Sequence, residues 1–364
     1  MLEKLVLKGT PKEIGKQHGE YGKEQVMKSL ETYEQLFYGY QKISWIQAKE
    51  KALQHIAAIE KLDAHLIEEM EGVAEGAGVD FEDILTLNAR SEIALGNYNG
   101  KSFSDGCTAI AVTAPLIHDT IIAQNWDWKA RQLNSLLLVE IYQKNKPVIT
   151  MVTEGGMIGK IGMNSSGMGV CFNALLTNKK TNSIPIHLGL RSVLNSHTLS
   201  EAISKLNNGN IAAAANFLIG NDNGNGSGMA VNLEVSPFGI DVVGETDGKL
   251  VHTNHIISET LKKSLEDRNE FIFEDSLLRK KRAQQLIQTS IRNGISINEE
   301  TVKEWLSDQF NAPNSINHYE NYMTPEHRRM ETVFSIIMNL SKRQMYFCHG
   351  KPAESEYKKI QQDE

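Results

Sequence analysis

The sequence contains little cysteine, and its three cysteines stand far apart, at Cys107, Cys171 and Cys348. Thiols so few and so scattered exclude a disulfide framework and a structural zinc site. Cys171 and Cys348 lie in apolar stretches, where a small buried side chain is the usual interpretation. Cys107 differs, because it directly follows residues 96–106, a segment rich in glycine, serine and asparagine. It is therefore the cysteine whose chemistry needs an explanation.

The sequence also lacks a long apolar run and any excess of positive charge. No stretch is long enough to span a bilayer, and the first eight residues lack the continuous apolar core of a signal peptide. The net charge of -7 gives no reason to expect a nucleic-acid partner. With 40% hydrophobic and 23% charged residues, the composition predicts a globular enzyme of the cytoplasm with neither a membrane nor a nucleic-acid partner.

The spacing of apolar residues changes at Cys107. Residues 11–95 carry them mainly at helical three/four spacing, whereas the chain from residue 107 alternates with the period of two that strands have. Later helices are predicted at 185–206, 275–291 and 299–310. Strands are predicted at 107–113, 120–124, 136–142, 148–152, 158–164, 167–173, 216–220, 228–235, 249–254, 332–340 and 344–349, and the tail after residue 352 is predicted to fray. Helices first, then antiparallel strands with helices between them, predict an α+β layered architecture.

Two polar stretches admit a functional interpretation but favour a structural one. Residues 279–282, Arg-Lys-Lys-Arg, lie beside acidic residues at 266–275, so we interpret them as a solvated helix face rather than a nucleic-acid contact. Residues 221–228 have a composition similar to that of a calcium loop. They lack the flanking helices and the closing glutamate of that motif, so a hairpin loop is the prediction.

The candidate active site is the stretch from Ser104 to Asp127. Cys107 begins a strand directly after the polar segment, and the next strand returns to deliver Asn125, Trp126 and Asp127. The cysteine at the start of one strand and the acid at the end of its partner are therefore expected to be close neighbours. This geometry suits a nucleophile whose own backbone nitrogen, freed by cleavage of the Gly106–Cys107 bond, serves as the base.

The motifs Asp-Gly-Cys-Thr at 105–108 and Gln-Asn-Trp-Asp at 124–127 resemble those of the acyl-coenzyme A:6-aminopenicillanic acid acyltransferase family, a C45 peptidase-type branch of the N-terminal nucleophile (Ntn) hydrolases. Supporting motifs follow in the family's order along the chain, at 9–19, 154–167, 173, 251–255 and 331–335. The resemblance implies a four-layer αββα sandwich of two antiparallel sheets between helical layers. It also implies two parts of one fold, a mainly helical segment 1–106 and a catalytic part 107–364 that begins at Cys107.

The resemblance also assigns roles to residues. Cys107 is implied as nucleophile and base, Asp127 as the acid that orients the new amino terminus, and Asn254 as an oxyanion donor, with a backbone N–H as its partner. Substrate contacts are expected from Asn125, Asn173, His252 and His255. For the two asparagines a role as strand-end turn residues weighs equally, and for the two histidines the alternative is a papain-type thiol–imidazole pair with Cys107.

One departure concerns the arginine that the family carries shortly before its penultimate strand. The corresponding region here reads Ser-Ile-Asn-His at 315–318, without arginine, so the cation on the substrate side is left open. Arg328 and Arg329 follow nearby, but no motif assigns either to the pocket.

The reaction expected from these residues is acyl transfer through Cys107. The thiolate attacks an amide or thioester carbonyl of a small acyl compound, and either water or an amine removes the acyl group, so the protein is a hydrolase or a transferase. No metal or cofactor is expected, and the two cleavage fragments are expected to stay associated. The alternative is an uncleaved, catalytically idle relative that binds a small ligand or a partner.

Overall fold

The N-terminal part of the chain is helical, as its periodicity predicts. The computed structural model describes residues 2–94, 106–224, 226–244, 247–324, 326 and 329–361, so Ser104, Asp105 and Arg328 lie outside the described residues. The helices are α1 (Pro11–Tyr21), α2 (Lys23–Gln41), α3 (Trp45–Leu53), α4 (Ile56–Asp63), α5 (His65–Ala77), α6 (Phe81–Asn88) and α7 (Arg90–Ala94). Side-chain caps fix the start of α1 at Thr10 and of α3 at Ser44, because each hydroxyl accepts a backbone N–H of the first turn.

The larger sheet, sheet A, has eight strands in the order β1-β4-β5-β6-β7-β8-β9-β10. Their bounds are β1 (Lys4–Gly9), β4 (Leu136–Gln143), β5 (Ile149–Glu154), β6 (Ile161–Asn164), β7 (Met168–Ala174), β8 (Ala215–Asn221), β9 (Met229–Ser236) and β10 (Gly239–Val243). The pairs are antiparallel except β1 with β4, which is parallel. Strands β1 and β10 are additions to the predicted set, and both lie at the edges of the sheet.

The smaller sheet, sheet B, has six strands in the order β11-β2-β3-β12-β13-β14. Their bounds are β2 (Gly106–Val112), β3 (Ile121–Trp128), β11 (Lys249–His252), β12 (Glu331–Asn339), β13 (Gln344–His349) and β14 (Lys358–Gln361). The tail is therefore not frayed at 358–361, because β14 pairs with β13. The β2–β3 hairpin occupies the centre of the sheet, where its backbone is hydrogen-bonded on both sides.

Helical layers cover the outer faces of the two sheets. Helices α8 (Ile186–Leu194) and α9 (Leu199–Gly209) pack on sheet A, and α10 (Leu277–Arg292) and α11 (Glu299–Leu306) pack on sheet B. The inner faces meet where β2 and β3 contact β7 and β8. The predicted four-layer αββα sandwich is thereby confirmed, with one parallel strand pair that the prediction did not include. No helix in the described ranges is long and apolar enough to cross a membrane.

The side chains of strand β2 point alternately into the two hydrophobic cores on either side of sheet B. Cys107, Ala109 and Ala111 belong to the core between the sheets, whereas Ile110 and Val112 belong to the core under α10 and α11. Because side chains alternate along a strand, Gly106 and Thr108 face the helices and Cys107 faces sheet A. The candidate nucleophile thus lies near the start of a central strand, which faces sheet A on one side and the helices α10 and α11 on the other.

Candidate active site

The β2–β3 hairpin brings the predicted nucleophile and acid together. Its register pairs Gly106 with Asp127, and Cys107 with Trp126. A Cβ added to Gly106 would lie 2.9 Å from Cβ and 3.1 Å from Oδ2 of Asp127. Real Cβ atoms do not approach other heavy atoms so closely, so only glycine fits beside this carboxyl group. The expected proximity of residues 106–107 and Asp127 is therefore observed.

The backbone of Cys107 is held on both sides by polar side chains. Its N–H donates to Oδ1 of Asn254 at 2.8 Å. Its carbonyl oxygen accepts from Nη1 of Arg279 at 2.6 Å and from Nδ2 of Asn173 at 3.3 Å. The side chain itself is fully buried. This residue is therefore fixed by residues from β7, α10 and the segment after β11, far from it in sequence.

Asn254 presents its amide oxygen, not its NH₂ group, to Cys107 in the uncleaved chain. That oxygen also accepts from Nη2 of Arg279 at 3.1 Å, while Nδ2 donates to the carbonyl of Ala174 at 3.2 Å. The backbone N–H of Asn254 donates to Oγ of Ser276 at 2.8 Å. Because an amide nitrogen carries two hydrogens, one remains for a second acceptor beside the Ala174 contact.

Asp127 is a buried carboxyl group with one oxygen engaged. Oδ1 accepts from Oγ1 of Thr332 at 2.7 Å, and Oδ2 has no hydrogen-bond partner among the described residues. Burial raises the pKa of Asp127, and the nearby His318 and Arg279 offset only part of this effect. Oδ2 is therefore an acceptor available to a cation or an N–H group that comes close to Gly106.

Arg279 corrects the interpretation of residues 279–282 as a solvated helix face. Its side chain is only 1% exposed and forms a two-pronged ion pair with Asp275, with Nε–Oδ1 2.7 Å and Nη2–Oδ2 2.8 Å. Although burial alone lowers the pKa of an arginine, Asp275 holds the pKa of Arg279 above its usual value. The signal was present in the sequence, since Arg279 stands four and eight residues before Ala283 and Ile287, which are buried on the same face of α10.

The two remaining asparagines have different surroundings. Asn173 lies beside the site, where Nδ2 donates to the carbonyls of Cys107 and His252. Asn125 lies on the helix side of sheet B, and its Nδ2 donates to the carbonyls of Leu306 and Ile316 at 2.8 and 2.9 Å. Asn125 thus anchors the chain after α11 from within β3 and is not the strand-end turn residue of the structural alternative, while Asn173 contacts the candidate nucleophile.

The hydrogen bonds of His252 and His255 lead away from Cys107. Nδ1 and Nε2 of His252 lie 2.8 Å from the carbonyl of Thr253 and from Oε1 of Glu234. Nδ1 of His255 lies 2.8 Å from Oγ of Ser276, and burial together with the neighbouring His252 lowers the pKa of His255 to about 3. Both nitrogens of His252 face oxygen atoms, so neither has a lone pair directed at the thiol.

Region 315–318 lies at the other side of the site and supplies His318. The backbone N–H of His318 donates to Oγ1 of Thr332, the hydroxyl that binds Asp127. Arg329 lines the same cavity as His318. Within the described ranges no group of three or more His, Cys, Asp or Glu side chains could hold a metal ion.

Comparison with known proteins identifies the family. The family described as acyl-coenzyme A:6-aminopenicillanic acid acyl-transferase matches residues 117–354. The chain belongs to this family. A curated member, the 40 kDa form of acyl-coenzyme A:6-aminopenicillanic-acid-acyltransferase from Emericella nidulans, is 34% identical over 256 residues, covering 70% of this chain and 69% of that protein. The resemblance stated from the motifs is confirmed. Acyl transfer is therefore the general type of reaction that the family supports for this chain.

Two solved structures are also similar, at low identity. A variant of the conjugated bile acid hydrolase from Clostridium perfringens shares 13% identity, covers 71% of this chain and 97% of its own, and has a TM-score of 0.46. Penicillin V acylase from Agrobacterium tumefaciens shares 14% identity, covers 67% of this chain and 83% of its own, and has a TM-score of 0.40. The family match spans Asp127, Asn254 and Arg279 and begins ten residues after Cys107.

Proposed function

We propose that this family member is a self-processing cysteine Ntn hydrolase or acyltransferase that acts on amide or thioester bonds of small N-acyl compounds. The observation that carries the proposal is the 2.8 Å hydrogen bond from the backbone N–H of Cys107 to Asn254, next to Gly106 at the start of strand β2. The nitrogen that becomes an amino group on cleavage is thereby already held in a fixed position.

The first reaction is cleavage of the Gly106–Cys107 bond. Sγ of Cys107 attacks the Gly106 carbonyl carbon, the C–N bond breaks as the C–S bond forms, and the nitrogen takes up the thiol proton. Water then hydrolyses the thioester, which leaves a carboxyl group on Gly106 and a free thiol on Cys107. Glycine at position 106 supports this step, because it has no side chain to collide with Asp127 as the carbonyl carbon becomes tetrahedral.

In the mature enzyme the amino group of Cys107 is the base. A free thiol is mostly protonated at neutral pH, whereas an α-amino group titrates near neutrality and can accept the thiol proton directly or through one water. Oδ1 of Asn254 continues to accept a hydrogen bond from this amino group, and Nη1 of Arg279 continues to donate to the Cys107 carbonyl. Asp127, with Oδ2 available beside Gly106, is the proposed carboxylate that stabilises the ammonium form.

The proposed oxyanion donor is the second amide hydrogen of Asn254. Nδ2 is oriented by its bond to Ala174, and Oδ1 is oriented by Cys107 and Arg279, so the amide group is held at three points. Fixed donors stabilise a developing oxyanion without reorganisation during the reaction. The hydrogen bonds of His252 and His255 support the amine as base in preference to an imidazole.

Intact mass spectrometry and a denaturing gel of purified protein test the proposal. Wild type should give fragments 1–106 and 107–364, and its larger fragment should gain one acyl group when incubated with an acyl thioester. Cys107→Ala should remain one chain without activity. Cys348→Ala is the matched control, because burial raises the pKa of that thiol to about 12 and its Sγ lies near backbone oxygens of residues 350 and 355.

A wild-type chain that stays intact and still hydrolyses amides through Cys107 would contradict the amine as base. An imidazole would then be the base in the mechanism. An intact chain without any hydrolysis or acylation would favour the idle, ligand-binding alternative.

A further inference from the structure

Three buried polar side chains form a row across sheet A, on the face towards sheet B. The strand register pairs Glu234 of β9 with Asn216 of β8, and Asn216 with Asn173 of β7. All three are fully buried. Nδ2 of Asn216 donates to Oδ1 of Asn173 at 3.1 Å, and Asn173 donates in turn to the carbonyls of Cys107 and His252. The row therefore begins at a buried carboxyl group and ends at the candidate nucleophile.

The carboxyl group of Glu234 makes three hydrogen bonds with the segment that carries Asn254. Oε1 lies 2.8 Å from Nε2 of His252 and accepts from the backbone N–H of Ile257 at 2.7 Å. Oε2 accepts from the backbone N–H of Ser258 at 3.0 Å. A buried carboxylate is unfavourable without partners, and these groups supply them. Glu234 thus binds the segment on both sides of Asn254.

The contacts of His252 favour hydrogen on both ring nitrogens. Nδ1 lies 2.8 Å from the carbonyl oxygen of Thr253, which can only accept, so Nδ1 carries a hydrogen. Nε2 faces Oε1 of Glu234, an oxygen that also accepts from a backbone N–H. Because two backbone N–H groups stabilise the ionised form of this carboxyl group, the hydrogen between Glu234 and His252 belongs on Nε2. The pair is then an imidazolium bound to a carboxylate, with neither side chain exposed.

This pair fixes the segment relative to sheet A. Other backbone contacts of the segment come from the chain just before α10, at Asp267, Asn269 and Ser276. Glu234 differs from these residues, because it belongs to β9 and is a charged contact from sheet A. A shift of the segment along sheet A would move the amide of Asn254 away from the backbone N–H of Cys107. Since the two charges are buried together, each depends on the other for compensation.

We propose that Glu234 is a positioning residue for acyl transfer, which holds Asn254 against Cys107 through its ion pair with His252. The inference rests on the proposed function, and it gives Glu234 no contact with the reacting atoms. Loss of the carboxylate should displace the Asn254 amide, and a displacement of about 1 Å can lower a rate about a hundredfold. Because Glu234 does not touch the substrate in this role, the loss should fall on kcat and leave KM little changed.

Amide hydrogen exchange in the uncleaved Cys107→Ala chain tests the position of Asn254 without any reaction. The backbone N–H of residue 107 donates to Oδ1 of Asn254, so it should exchange about tenfold faster or more when Glu234→Gln loosens that contact. Glu69→Gln is the matched control, because Glu69 is also buried and is ion-paired with Arg191, between α5 and α8. This change should leave exchange at residue 107 as it is in the parent chain.

Kinetics of the chain that keeps Cys107 measure the effect on the reaction, with the hexanoyl thioester of N-acetylcysteamine as substrate. Per cleaved molecule, Glu234→Gln should lower kcat about a hundredfold with KM little changed, whereas Glu69→Gln should keep both values. Unchanged kcat together with unchanged exchange at residue 107 would overturn the inference and leave the proposed function standing. Absence of cleavage and acylation in wild type would overturn the proposed function, while faster exchange at residue 107 in Glu234→Gln would still support the positioning of Asn254.

Nitrogen NMR of the uncleaved chain requires no change at Glu234, so it tests the ion pair even where Glu234→Gln does not fold. In protein labelled with ¹⁵N-histidine, both ring nitrogens of His252 should carry hydrogen at pH 7. The signals of His252 are assigned by their loss in His252→Gln. A His252 ring with a single protonated nitrogen would overturn the proposed pair.

Discussion

At the scale of single residues, the candidate site is organised around the backbone of Cys107. Asn254 accepts from its N–H, while Arg279 and Asn173 donate to its carbonyl oxygen. A nucleophile held through its backbone keeps its position after the preceding bond is cut, since none of these contacts involves Gly106. Cleavage can therefore change the charge of the nitrogen without moving it.

Replacing Asn254 by alanine should lower turnover by roughly two to three orders of magnitude, the usual effect of removing one oxyanion donor. Asn254→Asp keeps an oxygen for Cys107 and Arg279 but removes the NH₂ group, so it should lose activity to a similar extent. Steady-state kinetics of both variants, with folding checked by circular dichroism, measure the effect. Asn125→Ala is the matched control, because within the described ranges the side chain of this buried asparagine donates from Nδ2 to the carbonyls of Leu306 and Ile316. Near-normal turnover of Asn254→Asp would rule out the amide NH₂ as the donor.

In the uncleaved Cys107→Ala protein, replacing Asp127 by asparagine should raise Tm at pH 7. In a chain that keeps Cys107, the same replacement should abolish activity or maturation. Burial raises the pKa of Asp127 above its usual 3.8, so the folded state binds this proton more tightly than the unfolded state. The stability that this group contributes is complete below pH 3.8 and is lost as the pH rises through the folded-state pKa. At pH 7 asparagine removes a buried charge, whereas below pH 3.8 the gain should disappear.

Calorimetry at pH 7 and pH 3.5 measures this difference, and Asp275→Asn provides a control of opposite sign. Burial raises the pKa of Asp275, but Arg279 outweighs it and leaves the pKa lowered. Its contribution is present above the unfolded-state pKa and is lost as the pH falls through the folded-state pKa. Asp275→Asn should therefore lower Tm at pH 7. A fall in Tm for both variants would contradict the assignment of a desolvated carboxylate at Asp127.

At the scale of elements, α10 delivers a charge to the site from its buried face. Arg279 shares this face with Ala283 and Ile287, and Asp275 lies one turn earlier. Burying the pair removes both charges from water, so each depends on the other for compensation. The helix therefore contributes a fixed cation at the Cys107 carbonyl, and its stability is coupled to that pair.

Removal of one member of this pair should destabilise the protein more than removal of both. Arg279→Ala leaves the Asp275 carboxylate buried without its guanidinium partner, an effect of about 3–5 kcal/mol for such pairs. The double variant Asp275→Asn with Arg279→Ala should recover part of that loss. Urea unfolding of the two single variants and the double variant, all with Cys107→Ala, gives the coupling free energy. Strictly additive losses would show that the two side chains do not depend on each other.

The sequence predicted the elements whose signals are local and missed those that need a distant partner. The β2–β3 hairpin was predictable, because apolar residues alternate along its first strand and a polar segment directly precedes that strand. Strands β1 and β14 were missed because short edge strands show little alternation, and β1 joins β4 from more than 100 positions away. Arg279 was missed because three further basic residues around it resemble a solvated face. Family motifs alone placed Asn254 in the site, as an oxyanion donor, and its hydrogen bond to the N–H of Cys107 was not predicted, since the 147 positions between them leave no local signal.

At the scale of the whole molecule, the proposed fragments 1–106 and 107–364 are parts of one structure. Strand β1 pairs with β4 inside sheet A, and the core that contains Cys107 also contains Ile14, Val26 and Phe37 from the first helices. Exposing this shared apolar surface to water would be strongly unfavourable. The largest core is therefore shared between the two fragments, and neither fragment completes it alone.

The cleaved protein should elute from a size-exclusion column as one species of the same size as uncleaved Cys107→Ala, although a denaturing gel resolves two bands. The shared core and the β1–β4 pair provide the reason. Fragment 107–364 expressed alone should be insoluble or aggregated, and co-expression with 1–106 should restore solubility. Separate elution of the two fragments in native buffer would contradict a shared core.

The pairing of Gly106 with Asp127 would oppose reversal of the proposed cut. Hydrolysis would create a carboxylate on the residue paired with Asp127, whose own carboxyl group is already buried. Two negative charges close together repel, and Asp127 is held in β3, so the newly formed end would be the one to move. Religation would require that end to return against this repulsion and give up its charge. In the proposed reaction the fold would thus act as a ratchet, because the charge produced by the first turnover resists its reversal.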